Sequence, residues 1–151
     1  MVGLEPLRPD QAEEVLHYWQ RAHPLHPLEL WMLKERLFGP PPPDQELLLA
    51  ARGEEGELVG LAAGVYPCRK ERIGDVRWLG ALPGPYWGTV LRQLLDEMSV
   101  RLTARGAREI HLFATPPHYL RPGVDTRETG LIAALQGMGW GHSATHFNMT
   151  C

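Results

Sequence analysis

Apolar residues recur at helical spacing in four stretches of the chain, and prolines, glycines or capping residues bound each of them. Spacing of three and four residues puts apolar side chains on one face of a helix. The pattern Asp10–Glu13 resembles a capping box that opens the first helix, which carries Ala12, Val15, Leu16 and Trp19. The other predicted helices span about Leu28–Phe38, Thr89–Ala104 and Thr126–Gln136, the last one behind a second capping pattern, Asp125–Glu128.

Shorter apolar or alternating runs predict strands between these helices, because extended chain repeats every two residues. Gly53–Gly56 has the composition of a hairpin turn between two of the runs. The predicted strands cover Val2–Leu7, Glu46–Arg52, Glu57–Tyr66, Arg72–Leu82, Arg108–Ala114 and Trp140–Met149.

The resulting order, β-α-α-β-β-β-α-β-α-β, joins a hairpin-linked group of strands to a later β-α-β crossover. Doubly wound folds alternate strands and helices regularly, and this order does not. The prediction is therefore an α+β fold with a mixed, mostly antiparallel sheet that is flanked by helices on both faces.

Composition narrows the class of protein. The chain has 151 residues, a formal net charge of −3 and 44% hydrophobic residues, which fits one globular domain over residues 1–151. The mild acidity argues against nucleic acid or an anionic membrane as a partner. No apolar stretch approaches 18 residues, so we expect no membrane span, no signal peptide and a cytoplasmic location.

Cysteine and histidine spacing does not predict a metal site. Cys68 and Cys151 stand 83 positions apart, which fits ordinary thiols in a reducing compartment. His23 and His26 are three apart, but Pro24 and Pro27 interrupt any helix that would align them. A zinc site needs three or four converging ligands, and none is visible, so no metal is expected.

The segment from Asp75 to Leu95 holds the strongest chemical signal, because a strand, a Pro/Gly loop and a helix follow one another there. A helix N-terminus offers unpaired amides and a positive dipole end, so this junction is a natural anion site. The alternative is a junction that binds nothing.

The same segment resembles the signature strand of the GNAT acetyltransferase superfamily, which reads acidic, apolar, any, any, Leu, small, Val, any, Pro. The matching positions are Asp75, Val76, Leu79, Gly80, Ala81 and Pro83. The hairpin Leu47–Leu61 is similar to the family's second and third strands. Leu7–Asp10, Tyr119–Asp125 and Gly137–Trp140 resemble further family segments, so the resemblance covers nearly the whole chain.

The resemblance implies acetyl-CoA as co-substrate, with the pantetheine arm paired to the free backbone of Leu79, Ala81 and Leu82 where two strands splay. The family's pyrophosphate loop reads Arg/Gln-x-x-Gly-x-Gly/Ala, and here an ungapped match puts Tyr86, Thr89 and Leu91 at those positions. Losing two charge-assisted hydrogen bonds of about 1.5–3 kcal/mol each would weaken binding by roughly a hundred- to ten-thousandfold.

Four residues remain candidates for holding the cofactor at this helix start. Gly88 fits the small-residue position if one residue is deleted, and Thr89 follows it at the start of the predicted helix. Arg92 either contacts a phosphate or is a solvated helix residue, and Trp87 either stacks on the cofactor or packs against the protein.

The resemblance also implies a base that deprotonates an amine and an acid that reprotonates the thiolate. Asp75 stands where the family often has an acidic residue, the alternative being a strand-end carboxylate in solvent. Tyr119 is the candidate acid, with a buried loop tyrosine as the alternative. His111 is interpreted as a core or edge histidine, and His118 as an outside candidate for proton transfer.

We therefore predict an acyl-CoA-dependent N-acetyltransferase acting on an amine of a small molecule or protein. The alternative is an inactive module of the same fold that binds a ligand or a protein, favoured by the degenerate loop. A Rossmann oxidoreductase ranks third, because no Gly-x-Gly-x-x-Gly follows a strand. Only 11 residues follow Trp140, so a homodimer is one way to complete the sheet.

Overall fold

The computed structural model describes residues 2–68, 70–113, 124–125 and 127–142. Its strands are β1 (Gly3–Pro6), β2 (Leu48–Arg52), β3 (Leu58–Val65), β4 (Ile73–Ala81) and β5 (Glu109–Leu112). Its helices are α1 (Ala12–Ala22), α2 (Leu30–Leu33), α3 (Trp87–Arg105) and α4 (Thr129–Gly137). A π-helical turn, Lys34–Phe38, extends α2, and 3-10 turns cover Pro9–Gln11 and Gln45–Leu47.

The five strands form one sheet in the order β1-β2-β3-β4-β5. Every neighbouring pair is antiparallel except β4 and β5, which are parallel and joined through α3. This arrangement confirms the predicted α+β class and its mostly antiparallel sheet. Most of the predicted last strand, Trp140–Met149, lies outside the described residues, and residues 140–142 are not in a strand.

The helix starts differ from the predicted ones for local reasons. Helix α1 follows a 3-10 turn in which the Arg8 amide donates to the Gln11 side chain, so Asp10 does not form the predicted capping box. Asp125 accepts a hydrogen bond from the Arg127 amide in a turn, and α4 begins only after it. Helix α3 begins at Trp87, two residues before the predicted start.

Two hydrophobic clusters cover the two faces of the sheet. Helix α3 packs on one face, and glycines at positions 60, 64 and 74 leave room for its side chains. Helices α1 and α2 pack on the other, where the largest buried side chains are aromatic. That cluster includes Tyr18, Trp19 and Trp78.

A β-bulge interrupts the pairing of β3 with β4. Ala63 lies opposite Trp78 and Gly64 lies opposite Val76, which leaves Arg77 as the extra residue. A bulge re-aims side chains that strict alternation would place elsewhere. Arg77 and its neighbour Trp78 therefore both lie on the face covered by α1 and α2. There the Nη2 atom of Arg77 lies 3.4 Å from the Leu37 carbonyl oxygen.

Strands β4 and β5 pair only along the first half of β4. The described register ends at Val76 opposite Leu112, and the Phe113 amide then donates to the Val76 carbonyl at 2.9 Å. Residues 78–81, the upper part of β4, pair with β3 on one side, and β5, which ends at Leu112, does not pair with them on the other. The described pairing between β4 and β5 is thus confined to the first half of β4.

Candidate active site

The start of α3 supplies backbone donors. The first bond of the helix runs from the Val90 amide to the Tyr86 carbonyl, and Tyr86 makes no side-chain cap. The amides of Gly88 and Thr89 therefore have no acceptor within the helix. A Cβ added at Gly88 would meet nothing within 4 Å. A ligand can thus approach these amides closely, as an anion site at a helix N-terminus requires.

A cavity of about 440 Å³ adjoins this helix start. Pro85, Gly88, Thr89 and Arg92 line one side of it, and residues of α4, among them Gly137, line the other. The structure therefore brings together three of the residues predicted to bind the cofactor. Arg92 is exposed and adds the only cationic side chain among the residues lining this cavity.

The other residues predicted to bind the cofactor do not line this cavity. Leu79 and Ala81 are buried in the cluster beneath α3, and Leu82 packs against the opposite cluster. Only their backbone could contact a ligand, as the splayed-strand arrangement implies. Trp87 is half-buried and packs against the α3-side cluster, which matches the alternative of a tryptophan that packs against the protein.

Asp75 lies in the paired half of β4, opposite Val65 of β3 and His111 of β5. It is fully buried, so the alternative of a strand-end carboxylate in solvent is wrong. Because Val76 belongs to the α3-side cluster, strand alternation puts Asp75 on the α1–α2 face, as it does Arg77.

The remaining acid–base candidates are not gathered around Asp75. Tyr119 and His118 lie outside the described residues. The side chain of His111 is 45% exposed at the edge of the described sheet, with its Nε2 3.3 Å from the Glu109 carboxylate. This position fits the edge-histidine interpretation.

The structure assembles a histidine–carboxylate cluster that the sequence did not predict. His23 is buried and stacks on Trp19 with ring centroids 3.9 Å apart. Its Nδ1 lies 4.0 Å from the Glu128 carboxylate, and His26 Nε2 lies 3.5 Å from the same carboxylate. A Cβ on Gly80 would sit 2.0 Å from His23 Nε2, so the ring lies directly on upper β4. Sequence spacing carries no signal for this cluster, since Glu128 is distant in the chain.

A second cavity, of about 220 Å³, lies beneath the proline tract Pro40–Pro43. Arg77, Arg36 and Tyr66 line it together with that tract. Arg77 is 8% exposed, and its Nε has no hydrogen-bond partner in the described part of the protein. Burial lowers the pKa of the Arg77 guanidinium, and the nearby Asp75 carboxylate acts in the opposite direction.

Among the described residues, no group of three or more His, Cys, Asp or Glu side chains is arranged to hold a metal ion. No helix among them combines the length and the apolar character that crossing a membrane requires.

Comparison with known proteins places the chain by its fold. No protein-family model and no curated protein sequence matches it. Solved structures do match. One is a GCN5-related glucosamine N-acetyltransferase region of a fungal multi-domain β-N-acetylglucosaminidase, with a TM-score of 0.80 and 22% identity, covering 96% of this chain. The match spans only 17% of that fungal chain.

Two further similar structures are of comparable length to this chain. The ribosomal-protein-S18-alanine N-acetyltransferase of Escherichia coli has a TM-score of 0.68 and 16% identity over 95% of this chain and 80% of that one. The aminoglycoside N-acetyltransferase AAC(6')-Iy, solved with CoA, has a TM-score of 0.66 and 16% identity over 100% and 96%. These likenesses confirm the resemblance at the level of fold: the chain has the fold of the GNAT N-acetyltransferases.

Proposed function

We propose that this protein is an N-acetyltransferase that moves an acetyl group from acetyl-CoA to an amine. The observation that carries the proposal is the cavity beside the start of α3, which Gly88 and Thr89 line with amides that have no acceptor within the helix. The described pairing of β4 with β5 ends at Val76, and these amides lie beyond the same end of β4. The helix start thus offers donors for phosphate, and the backbone of upper β4 leads up to it.

The cofactor would lie along upper β4. Its pyrophosphate would accept hydrogen bonds from the Gly88 and Thr89 amides, with Arg92 supplying charge at the cavity rim. The pantetheine amides would pair with the backbone of Leu79, Ala81 and Leu82. Helix amides and a strand edge require no particular side chain, so the degenerate loop still offers donors at this point.

The acceptor amine would enter from the α1–α2 face, where the buried polar groups are. A base takes a proton from the ammonium form, the amine nitrogen attacks the thioester carbonyl, and the C–S bond breaks as the CoA thiolate leaves. The thiolate then takes up a proton. Buried Asp75 is the proposed base, and its carboxylate would take the proton. Tyr119 is the proposed acid.

The similar structures support an amine as the class of acceptor. AAC(6')-Iy was solved with a bisubstrate analogue that joins CoA to acetylneamine. Another similar structure is that of a ribosomal-protein-S18-alanine N-acetyltransferase. Each of these two enzymes is named for an amine acceptor, so we propose an amine acceptor for this protein. The alternative, an inactive binding module, is distinguished by the turnover experiment below. The open cavity beside Gly88 favours the enzyme, because a module with a disabled site would have that space filled.

Calorimetric titration with acetyl-CoA tests the cofactor site. We expect saturable binding, which Gly88→Trp weakens by about a hundredfold or more because the indole fills the space in front of the two amides. Gly3→Trp is the matched control, since a Cβ at Gly3 also meets nothing within 4 Å but lies on β1, away from the cavity.

Thiol release from acetyl-CoA with a panel of amines tests the reaction itself. Turnover in the wild type that Gly88→Trp abolishes and Gly3→Trp preserves would support the enzyme. Acetyl-CoA binding without turnover on any amine would favour the binding module. The absence of any binding at millimolar acetyl-CoA would overturn the proposed function.

A further inference from the structure

We propose that the cavity beneath the proline tract is a carboxylate site in which Arg77 binds a small molecule that carries both a carboxylate and an amine. This inference rests on the proposed function for the role of that amine, and it identifies the class of acceptor as amino-acid-like. The carboxylate site itself is argued from Arg77 and its cavity alone.

Arg77 is a buried cation with too few acceptors. A guanidinium has five N–H donors in a planar fork. Among the described residues its one hydrogen-bond acceptor is the Leu37 carbonyl oxygen at 3.4 Å, which is long for an N–H···O bond. Its Nε has no partner there, although the residue is only 8% exposed. Buried polar groups without partners are costly, so such donors call for an acceptor that arrives from outside.

A β-bulge lets this cation share a face with Trp78. Alternation from Val76 puts Arg77 on the α1–α2 face, and the extra residue then puts Trp78 on the same face. Bulges occur preferentially next to functional sites, where they aim a side chain. The π-helical turn Lys34–Phe38 contributes Glu35 and Arg36 to the neighbouring wall, and its Leu37 carbonyl oxygen contacts Arg77.

The charges around the cavity favour a ligand with both signs of charge. Arg77 and Arg36 line the cavity together with Glu35 and Asp44, of which Asp44 is paired with Arg105, and Asp75 lies close to Arg77. A phosphate dianion would meet these carboxylates, whereas one carboxylate matches one guanidinium in a two-bond fork. An amine on the same molecule is compatible with the acidic side chains.

The size and position of the cavity set further limits. Its volume of about 220 Å³ lies below the roughly 300–1,000 Å³ typical of sites for drug-sized ligands, so the ligand is small. The prolines Pro40–Pro43 form one side of its wall, and that side is rigid and apolar. Arg77 directly follows Val76, the last β4 residue paired with β5. A carboxylate held there leaves the amine of the same molecule near the end of the described β4–β5 pairing.

The test compares carboxylates with their carboxamides, which have the same shape and no charge. The probes are glycine, β-alanine and 4-aminobutyrate, each titrated by calorimetry beside its amide, without acetyl-CoA. We expect wild type to bind at least one carboxylate on the order of tenfold more tightly than its amide. Arg77→Met should bring that ratio to one, and Arg77→Lys should retain part of it because the charge remains without the fork.

Arg108→Met is the matched control, because Arg108 is exposed and lies outside the cavity. It should leave the carboxylate-to-amide ratio unchanged. If Arg77 only anchors α2 through the Leu37 carbonyl, its replacement will lower the thermal midpoint and leave the ratio as in wild type. If Arg77→Met does not fold, Arg77→Lys measured against wild type decides the question through the same ratio.

The outcomes separate this inference from the proposed function. Equal binding of acid and amide by wild type, an undiminished ratio in the folded Arg77 variant, or no saturable binding of any probe would overturn the carboxylate site, whatever acetyl-CoA does. Failure of acetyl-CoA to bind, with an Arg77-dependent ratio intact, would overturn the acetyltransferase and leave the carboxylate site standing. When both bind, thiol release should favour the carboxylate probe over its amide by a similar factor.

Discussion

The two faces of the sheet bury different kinds of side chain. The α3 face is packed mainly with aliphatic residues, and three glycines let the helix approach the strands. The α1–α2 face carries the fully buried aromatic residues. The described chain has three buried polar or charged residues, His23, Asp75 and Arg77, and all three lie on this second face by contact or strand alternation.

This difference assigns the two faces different tasks. Burying a polar group costs free energy unless it is paired, so a fold keeps such groups where they serve a purpose. The α3 face presents the cofactor site through backbone amides at its rim and needs no buried polar side chain. The α1–α2 face concentrates polar groups along β4, which fits the recognition and deprotonation of an acceptor.

Replacing Trp78 should have the largest effect, because it is the centre of the aromatic face. Trp78 is 1% exposed and meets Trp19 with ring centroids 4.9 Å apart. We expect Trp78→Ala to lower the free energy of unfolding by about 3–5 kcal/mol, since it leaves a large cavity in the core. Urea denaturation measures the loss.

Trp31→Ala is the control for that substitution. Trp31 is 61% exposed, and surface replacements usually change the free energy of unfolding by no more than about 0.5 kcal/mol. Equal losses in the two variants would contradict the view that the aromatic cluster stabilises this face.

Adding one methyl group to Gly80 should strain the same face. A Cβ there would sit 2.0 Å from His23 Nε2 and 2.9 Å from the Tyr18 hydroxyl oxygen. Because the His23 ring is stacked on Trp19, it cannot move aside freely. We expect Gly80→Ala to cost about 1–3 kcal/mol in denaturant-induced unfolding, and to shift the NMR signals of the His23 ring.

The matched change on the other face is Gly60→Ala. Its Cβ would sit 2.6 Å from Val90 Cγ1 and 2.9 Å from Leu94 Cδ1. These atoms are the ends of aliphatic side chains, which adjust more readily than a stacked ring. We expect a loss of stability smaller than that of Gly80→Ala, and the reverse order would sink the proposed contrast between a rigid aromatic face and an adaptable aliphatic one.

Much of the fold could be predicted because it follows from local patterns. The apolar stripe from Leu91 to Leu102 and the cap at Gly106 predict α3, and the observed helix ends at Arg105 with Gly106 in the left-handed conformation at φ +113°. The Gly53–Gly56 turn likewise joins β2 and β3 as predicted. The predicted helix starts are less accurate, because other side-chain hydrogen bonds can replace the expected capping box. One example is the bond that the Arg8 amide donates to the Gln11 side chain.

The cofactor half of the site could also be anticipated, and the acceptor half could not. Gly88, Thr89 and Arg92 are close in sequence and meet at one helix start. Arg77 and Trp78 share one face because of a bulge, which strand alternation alone does not predict. His23 and Glu128 meet only through the packing of distant segments. Those contacts depend on tertiary structure, for which spacing along the chain holds no signal.

The smallest expected effect comes from the ionisation of Tyr18, which is 2% exposed on the aromatic face. Burial raises the pKa of its phenol far above the ordinary value of 10.0. Above pH 10 the unfolded chain loses this proton and the folded protein keeps it, so stability falls as the pH rises. Between pH 9 and pH 11 the loss of unfolding free energy should be about 1.4 kcal/mol larger in wild type than in Tyr18→Phe, measured by urea denaturation at both pH values.

The control is Tyr86→Phe, at a side chain that is 74% exposed. This variant should lose as much unfolding free energy as wild type. An equal loss in Tyr18→Phe would show that the aromatic face opens to water before Tyr18 ionises.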